Sequence, residues 1–197
     1  LVPGFNVEYT GSYTFVNRGS NVPTGRRLQV LIDGVSEVSP LVGVIHYEVL
    51  PVALESIDKV EVIRSQSTST YGSNSFYGVI NFITKHPKDR ETVTLSGRAS
   101  NRGWDAYAAY GAAISSTDLV LDFKSMTYDR YDTFKDSDTE LHDDLDVQKV
   151  SLRTTTKLDD GSELKMSLSG TVGSLEYHSG QTIYGLNYPV PRMQSWV

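Results

Sequence analysis

The residues best equipped for chemistry lie in one stretch, Asp132 to Asp146, which reads DTFKDSDTELHDDLD and holds seven acids against one lysine. Carboxylates at Asp136, Asp138 and Glu140 alternate along it, an order in which a loop can gather oxygen ligands round a hard cation such as Ca²⁺. The glycine of an EF-hand loop is missing, so a solvated loop without metal is the competing reading. Four histidines, His46, His86, His142 and His178, are scattered and form no HExxH pair, which points to no histidine metal or haem site. Cysteine is absent, which removes disulfides, thiolate metal sites and cysteine nucleophiles. There is no P-loop, G-x-S-x-G elbow or Rossmann glycine pattern, and YGSNSFYG (Tyr71 to Gly78) sets serines among glycines with no histidine near them in sequence. The expectation is a protein that is not an enzyme and carries no cofactor.

The net charge of the 197-residue chain is −6, and the acidic stretch alone accounts for it. The remainder balances, so no basic stripe exists to read the phosphates of a nucleic acid, and no nucleic-acid partner is expected. No apolar run reaches ~18 residues, which excludes a membrane-spanning helix. Membrane-spanning β-strands carry a much weaker signal and stay open. Nothing near Leu1 has the basic start and ~7–15-residue apolar core of a signal peptide, so the chain is expected to begin inside a longer gene product.

The elements that must position these groups divide near Lys85-His86-Pro87. Ahead of that seam, Arg26 to Val35 (RRLQVLIDGV) reads as a short buried strand closed by the Asp33-Gly34 turn. Ser56 to Ser65 (SIDKVEVIRS) is a second strand, with Ile57, Val60 and Val62 against Asp58, Lys59, Glu61 and Arg64. Pro51 is tolerated at a helix start, so the residues between allow one helical turn. Gly78 to Lys85 is a third strand. By periodicity alone this half is a small mixed α+β domain.

From Glu91 the pattern changes to long alternating strands: Thr92 to Ser100, Trp104 to Ile114, Leu119 to Tyr131, Val147 to Leu158 and Glu163 to Val172. In the last, Leu164, Met166, Leu168, Gly170 and Val172 share one face and Lys165, Ser167, Ser169 and Thr171 the other. In the fourth, Val150 and Leu152 oppose Lys149, Ser151, Arg153 and Thr155. Alternation fits a soluble β-sandwich as well as a barrel. Strands of ~10 residues or more, aromatics gathered at one end (Trp104, Tyr128, Tyr131, Tyr177) and short turns at the other end favour the barrel. Five strands cannot close one, since membrane barrels need at least ~8, so the chain is expected to be a fragment.

Asn17 to Gly19 (NRG), QVLIDGV, ALESIDKVEVIRS and STYGSNSFYGVINFITK follow one another in the order and spacing of the plug domain of TonB-dependent outer-membrane receptors, which the first half resembles. The usual Gly-Pro after the arginine is here Ser65-Gln66, so the turn at that point departs from the family. The resemblance implies a plug over residues 1–86, lacking its N-terminal part, and the first five or so strands of an antiparallel barrel over residues 87–197, in a family that closes its barrel with about 22 strands. It implies a receptor in the outer membrane of a Gram-negative bacterium that captures a scarce nutrient, most often a ferric siderophore, and passes it to the periplasm. Cobalamin, haem and oligosaccharides are alternative cargoes. Expected partners are that small molecule, outer-membrane lipid and the TonB–ExbB–ExbD complex, the last through a segment absent here.

The same resemblance nominates site residues. Arg18 matches the arginine of the family's RG motif beside the ligand, against a purely structural role pairing a barrel carboxylate. Glu37, His46 and Tyr47 lie in the loop expected near the plug apex, against a plain solvated loop. Glu61 and Arg64, on the polar side of their strand, are candidates for ion pairs that hold plug to barrel. Two rivals stand beside this reading: a soluble β-sandwich ligand-binding module with an α+β appendage, and a passive porin, which would have no plug.

Overall fold

The computed structural model describes residues 5–9, 13–17, 28–37, 47–64, 68–72, 75–89, 92–129, 144–175 and 193–196. Compactness divides the chain into one unit of residues 1–50 and 57–84 and a second of residues 51–56 and 85–197. The division passes between Thr84 and Lys85, with the short piece Pro51–Ser56 joining the strands that follow rather than its neighbours in sequence.

In the first unit β1 (Phe5–Tyr9) and β2 (Tyr13–Asn17) form a hairpin that sequence reading did not find. The main sheet orders β4 (Val35–Ser36), β3 (Leu28–Ile32), β6 (Gly78–Thr84) and β5 (Ile57–Ile63). β3 runs parallel to β6, and the other pairs are antiparallel. Leu28, Gln29, Val30 and Leu31 are all buried, as are Val79 and Ile80 facing them, which is why these two strands read as continuous apolar runs. Asp33 and Gly34 take φ of 49° and 85°, the left-handed pair that a two-residue hairpin requires. The Asp33 carboxylate accepts hydrogen bonds from the Thr84 amide at 2.8 Å and its hydroxyl at 2.7 Å, tying the turn to the end of β6. In β5 the register slips between Ile57 and Lys59, and that bulge moves the apolar set from Ile57 to Val60 and Val62.

The second unit is one six-stranded antiparallel meander: β7 (Val93–Ser100), β8 (Gly103–Ile114), β9 (Thr117–Tyr128), β10 (Leu145–Lys157), β11 (Glu163–Leu175) and the short β12 (Met193–Trp196). The five expected strands are present, and β12 is added. β8 to β11 are 12 or 13 residues long, the length of a tilted membrane-spanning strand rather than of a soluble sheet. Among the described residues the strands of this unit lie in a single sheet.

The alternation is inverted relative to a soluble protein. On β10, Leu145, Val147, Lys149, Ser151, Arg153 and Thr155 are buried, while Val150 and Leu152 on the other face are exposed. Register lines up outward rows across the sheet, such as Tyr110, Leu121, Leu152 and Leu168, all exposed. An apolar outer face with a polar, charged inner one is the pattern of a barrel wall set in lipid.

Two expectations need correction. Tyr128, expected in an aromatic girdle beside Trp104, faces the other way, because its hydroxyl donates to the buried Asp105 carboxylate at 2.5 Å. Trp104 does face outward and is exposed. The turn joining β7 and β8 is only Asn101-Arg102, yet it sits at the same strand ends as the long acidic connection, so that end carries short turns as well.

Candidate functional site

The inner face of β8, β9 and β10 carries five charged side chains among its polar ones, and the period of two brings them to one face. Asp105 and Tyr107 come from β8, Asp122 and Lys124 from β9, and Lys149, Ser151 and Arg153 from β10, all buried. Lys124 pairs in register with Tyr107 on one side and Lys149 on the other, and Asp122 with Ala109 and Ser151. Charges taken out of water persist only when partnered and hydrogen-bonded, so each must be accounted for.

Two clusters do so, and both end on the segment Pro51–Ser56. In the first, the Lys124 ammonium lies 2.6 Å from a carboxylate oxygen of Asp105 and 2.6 Å from one of Glu55. Arg98 on β7 closes on Asp105 through Nε at 2.9 Å and reaches Glu55 at 3.6 Å. In the second, Asp122 accepts from Arg153 Nη2 at 2.6 Å, from Ser151 Oγ at 2.9 Å and from Ser56 Oγ at 2.9 Å. The Tyr107 hydroxyl, 3.2 Å from Ser56 Oγ, then acts as donor to it.

The backbone of the segment is bound as well. Lys149 Nζ donates to the Val52 carbonyl at 3.3 Å and Lys85 Nζ to the Glu55 carbonyl at 3.0 Å, while the Lys85 amide donates to the Ser56 carbonyl at 2.9 Å. Ala53 packs against Tyr107 and Ala109. The segment can sit there because Leu54–Ser56 coils into a single 3-10 turn, which delivers Glu55 and Ser56 together, while Leu54 stays exposed. This is the helical turn expected near Pro51, displaced toward its C-terminal end.

Chemically the constellation is a clamp. Its hydroxyls and charges bind one another, and no group of three or more metal-ligating side chains occurs among the described residues. Arg153 Nε and Nη1 and Thr171 Oγ1 are buried with no partner among the described residues.

The nominated residues that are described, Glu37, Tyr47, Glu61 and Arg64, belong to the first unit. Arg18, His46, Asp136, Asp138 and Glu140 lie outside the described residues. Glu37 follows β4, half-buried, its amide donating to the Val30 carbonyl at 3.0 Å, and burial pushes its carboxyl pKa up. Tyr47 opens a 3-10 turn (Tyr47–Val49), where burial and then the neighbouring Glu48 push its hydroxyl pKa up. Glu61 pairs with Lys59 of the same strand at 2.8 Å, an exposed contact that lowers the Glu61 pKa and raises that of Lys59. Arg64 is exposed just past the end of β5.

Sequence reading passed over Glu55 and Ser56. The available signal was the strand pattern itself: Lys149, Ser151, Arg153 and Thr155 on one face of a strand require buried partners, and Glu55 stands immediately before the SIDKVEVIRS run that Ser56 opens.

Comparison with known proteins places this geometry. Residues 1–79 match the family model described as TonB-dependent Receptor Plug Domain. The chain is similar to the vitamin B12 transporter BtuB of Photobacterium profundum, 26% identical over 175 residues that make up 87% of this chain and 27% of that protein. It is also similar to the ferric aerobactin receptor of Klebsiella pneumoniae, 32% identical over 166 residues, 81% of this chain and 21% of the relative. Among solved structures, the ferric yersiniabactin uptake receptor FyuA from Yersinia pestis shares the fold with a TM-score of 0.65 at 17% identity, over 90% of this chain and 28% of that one. The chain thus spans about a quarter of the length of the relatives it matches.

Proposed function

This chain belongs to the TonB-dependent receptors, and on that premise we propose that it forms plug and early barrel wall of an outer-membrane receptor that captures a ferric siderophore and passes it to the periplasm. The observation that carries the membrane part is the inverted sheet, with apolar rows exposed on strands of 12 or 13 residues and Asp105, Asp122, Lys124, Lys149 and Arg153 buried on the other face. Such a wall is stable only with lipid on one side and a polar filling on the other.

The ferric siderophore is favoured because the relative that is 32% identical over 81% of this chain is named for ferric aerobactin, and cobalamin is the second reading, from the relatives named for vitamin B12. Glu37 and Tyr47, with Arg18 and His46, are the proposed ligand contacts, and the TonB–ExbB–ExbD complex is the proposed energy source. The test is uptake by whole cells expressing the full-length protein, with ⁵⁵Fe-aerobactin and radiolabelled cyanocobalamin as probes, with and without TonB. Accumulation of one probe that vanishes without TonB supports the proposal. Protein recovered from the aqueous fraction, or uptake indifferent to TonB, sinks it.

A further inference from the structure

We propose that the outward face of β9 and β10 meets a locally thinned bilayer, with lipid headgroups drawn down to Ser125 and Gln148 at a level where β8 and β11 on either side still face hydrocarbon. The proposal rests on the reading of this face as a lipid-facing wall, and adds what the wall does to the lipid beside it.

Strand pairing sets the outward side chains in rows. At the end that carries the long acidic connection, the last row runs Trp104, Thr127, Asp146 and Ser174 from β8 to β11, and the row before it Ala106, Ser125, Gln148 and Val172. At the opposite end the last row runs Ile114, Thr117, Thr156 and Leu164. Asp146 and Gln148 are exposed, and Ser125 and Thr127 half-buried. Polar groups therefore cut into the apolar face on β9 and β10 from both ends. Strand tilt does not account for this. A tilted row crosses a flat membrane boundary once, whereas the rows through Gln148 and Thr156 pass from apolar to polar and back to apolar between β8 and β11.

The apolar stretch on each strand has a length, from its first to its last apolar outward side chain. It is about 34 Å on β8 (Trp104 to Ile114) and about 27 Å on β11 (Leu164 to Val172), but about 14 Å on β9 (Leu119 to Phe123) and about 7 Å on β10 (Val150 to Leu152). A hydrocarbon band about 25 Å tall, crossed at a tilt of about 35–45°, needs about 30–35 Å of strand. β8 meets that need and β11 comes close, while β9 and β10 fall short by more than half.

A bilayer meets a short apolar stretch by thinning beside it. At the Thr117 end the mismatch is eased, since the Thr117 and Thr156 hydroxyls bond each other at 2.9 Å. At the other end Gln148 presents an amide and Asp146 a carboxylate, groups that draw headgroups and water to themselves because entering hydrocarbon unpartnered is costly. The thinning is thus deepest in the leaflet on the side of the long connection.

The row through Gln148 carries the test. The full-length protein in dioleoylphosphatidylcholine vesicles bears a nitroxide at one introduced cysteine, in turn Ala106→Cys, Ser125→Cys, Gln148→Cys and Val172→Cys. Collision with oxygen, which concentrates in hydrocarbon, and with a nickel chelate, which stays in water and among headgroups, reads the depth of the label. The nickel-to-oxygen ratio is expected to be several-fold higher at positions 125 and 148 than at 106 and 172. A uniform ratio, or a steady trend from β8 to β11, overturns the proposal. A label at position 148 shielded from both quenchers overturns it too, in favour of a second copy or another protein seated there. Nickel contact at all four positions, and at Leu152→Cys in the middle of the face, is a distinct outcome that brings down the lipid-facing reading itself.

Discussion

Lys124 and Glu55 are 69 residues apart in sequence and meet at 2.6 Å, nitrogen to oxygen, with the lysine almost wholly buried. The lysine has a second carboxylate, Asp105, at the same distance. A buried cation therefore stands between two anions that would otherwise repel each other, with the more exposed Arg98 reaching both from β7.

Removing that cation is expected to be severe. Lys124→Met leaves Glu55 and Asp105 with only the more exposed Arg98 to offset them, and breaking a buried pair in this way costs about 3–5 kcal/mol. Denaturant unfolding of the full-length protein in detergent should show that loss for Lys124→Met and a smaller one for Glu55→Gln, which keeps a hydrogen-bonding side chain. A change under about 0.5 kcal/mol for Lys124→Met would mean that water reaches the pair in the intact protein.

The second cluster gives a coupling prediction. Asp122→Asn keeps the shape that Ser56 and Ser151 bond to, but leaves the Arg153 guanidinium buried without its anion. Arg153→Met in the same protein should recover part of the loss, so the double-mutant cycle should show a coupling of about 1–3 kcal/mol. Strict additivity would refute the pairing.

The outward face is tested by charge. Leu152→Arg sets a cation among exposed apolar side chains and should cost about 2–4 kcal/mol of insertion into vesicles. Asp159→Arg, in the β10–β11 turn, should cost almost nothing. The folded fraction of the full-length protein in lipid vesicles, read by gel mobility before and after heating, separates the two. Equal behaviour of both variants is incompatible with lipid against the apolar face.

Gly103 offers a backbone test. Its φ is 144°, and a Cβ there would lie 2.0 Å from the Thr127 carbonyl oxygen across the β8–β9 pair. Gly103→Ala should therefore destabilise by more than the about 1 kcal/mol of an ordinary glycine substitution, whereas Gly97→Ala, whose Cβ would stand 3.6 Å from its nearest neighbour, should be tolerated. Thermal unfolding of the two variants side by side measures the difference.

Much of the fold was legible because its rules are local. Period-two alternation located β7 to β11, the Asp33-Gly34 pair marked the β3–β4 turn, and the apolar runs marked β3 and β6. The clamp was not legible, since nothing local to Glu55 says that its partners lie on strands 43 to 69 residues away. Glu61, nominated for standing on the polar side of its strand, pairs with the adjacent Lys59 on that edge strand. Tyr128 was misread for a related reason: an aromatic at a strand end is ambiguous until the parity of its face is fixed, and that parity follows from Asp105.

The alternation on β10 also bears on biosynthesis. Across its 13 residues no two apolar side chains are adjacent. A translocation channel that sorts nascent segments by continuous greasiness meets nothing there to retain, so the strand can be exported through one membrane as an ordinary hydrophilic thread. Its greasy side exists only after the backbone extends and pairs, which postpones the choice of membrane until assembly.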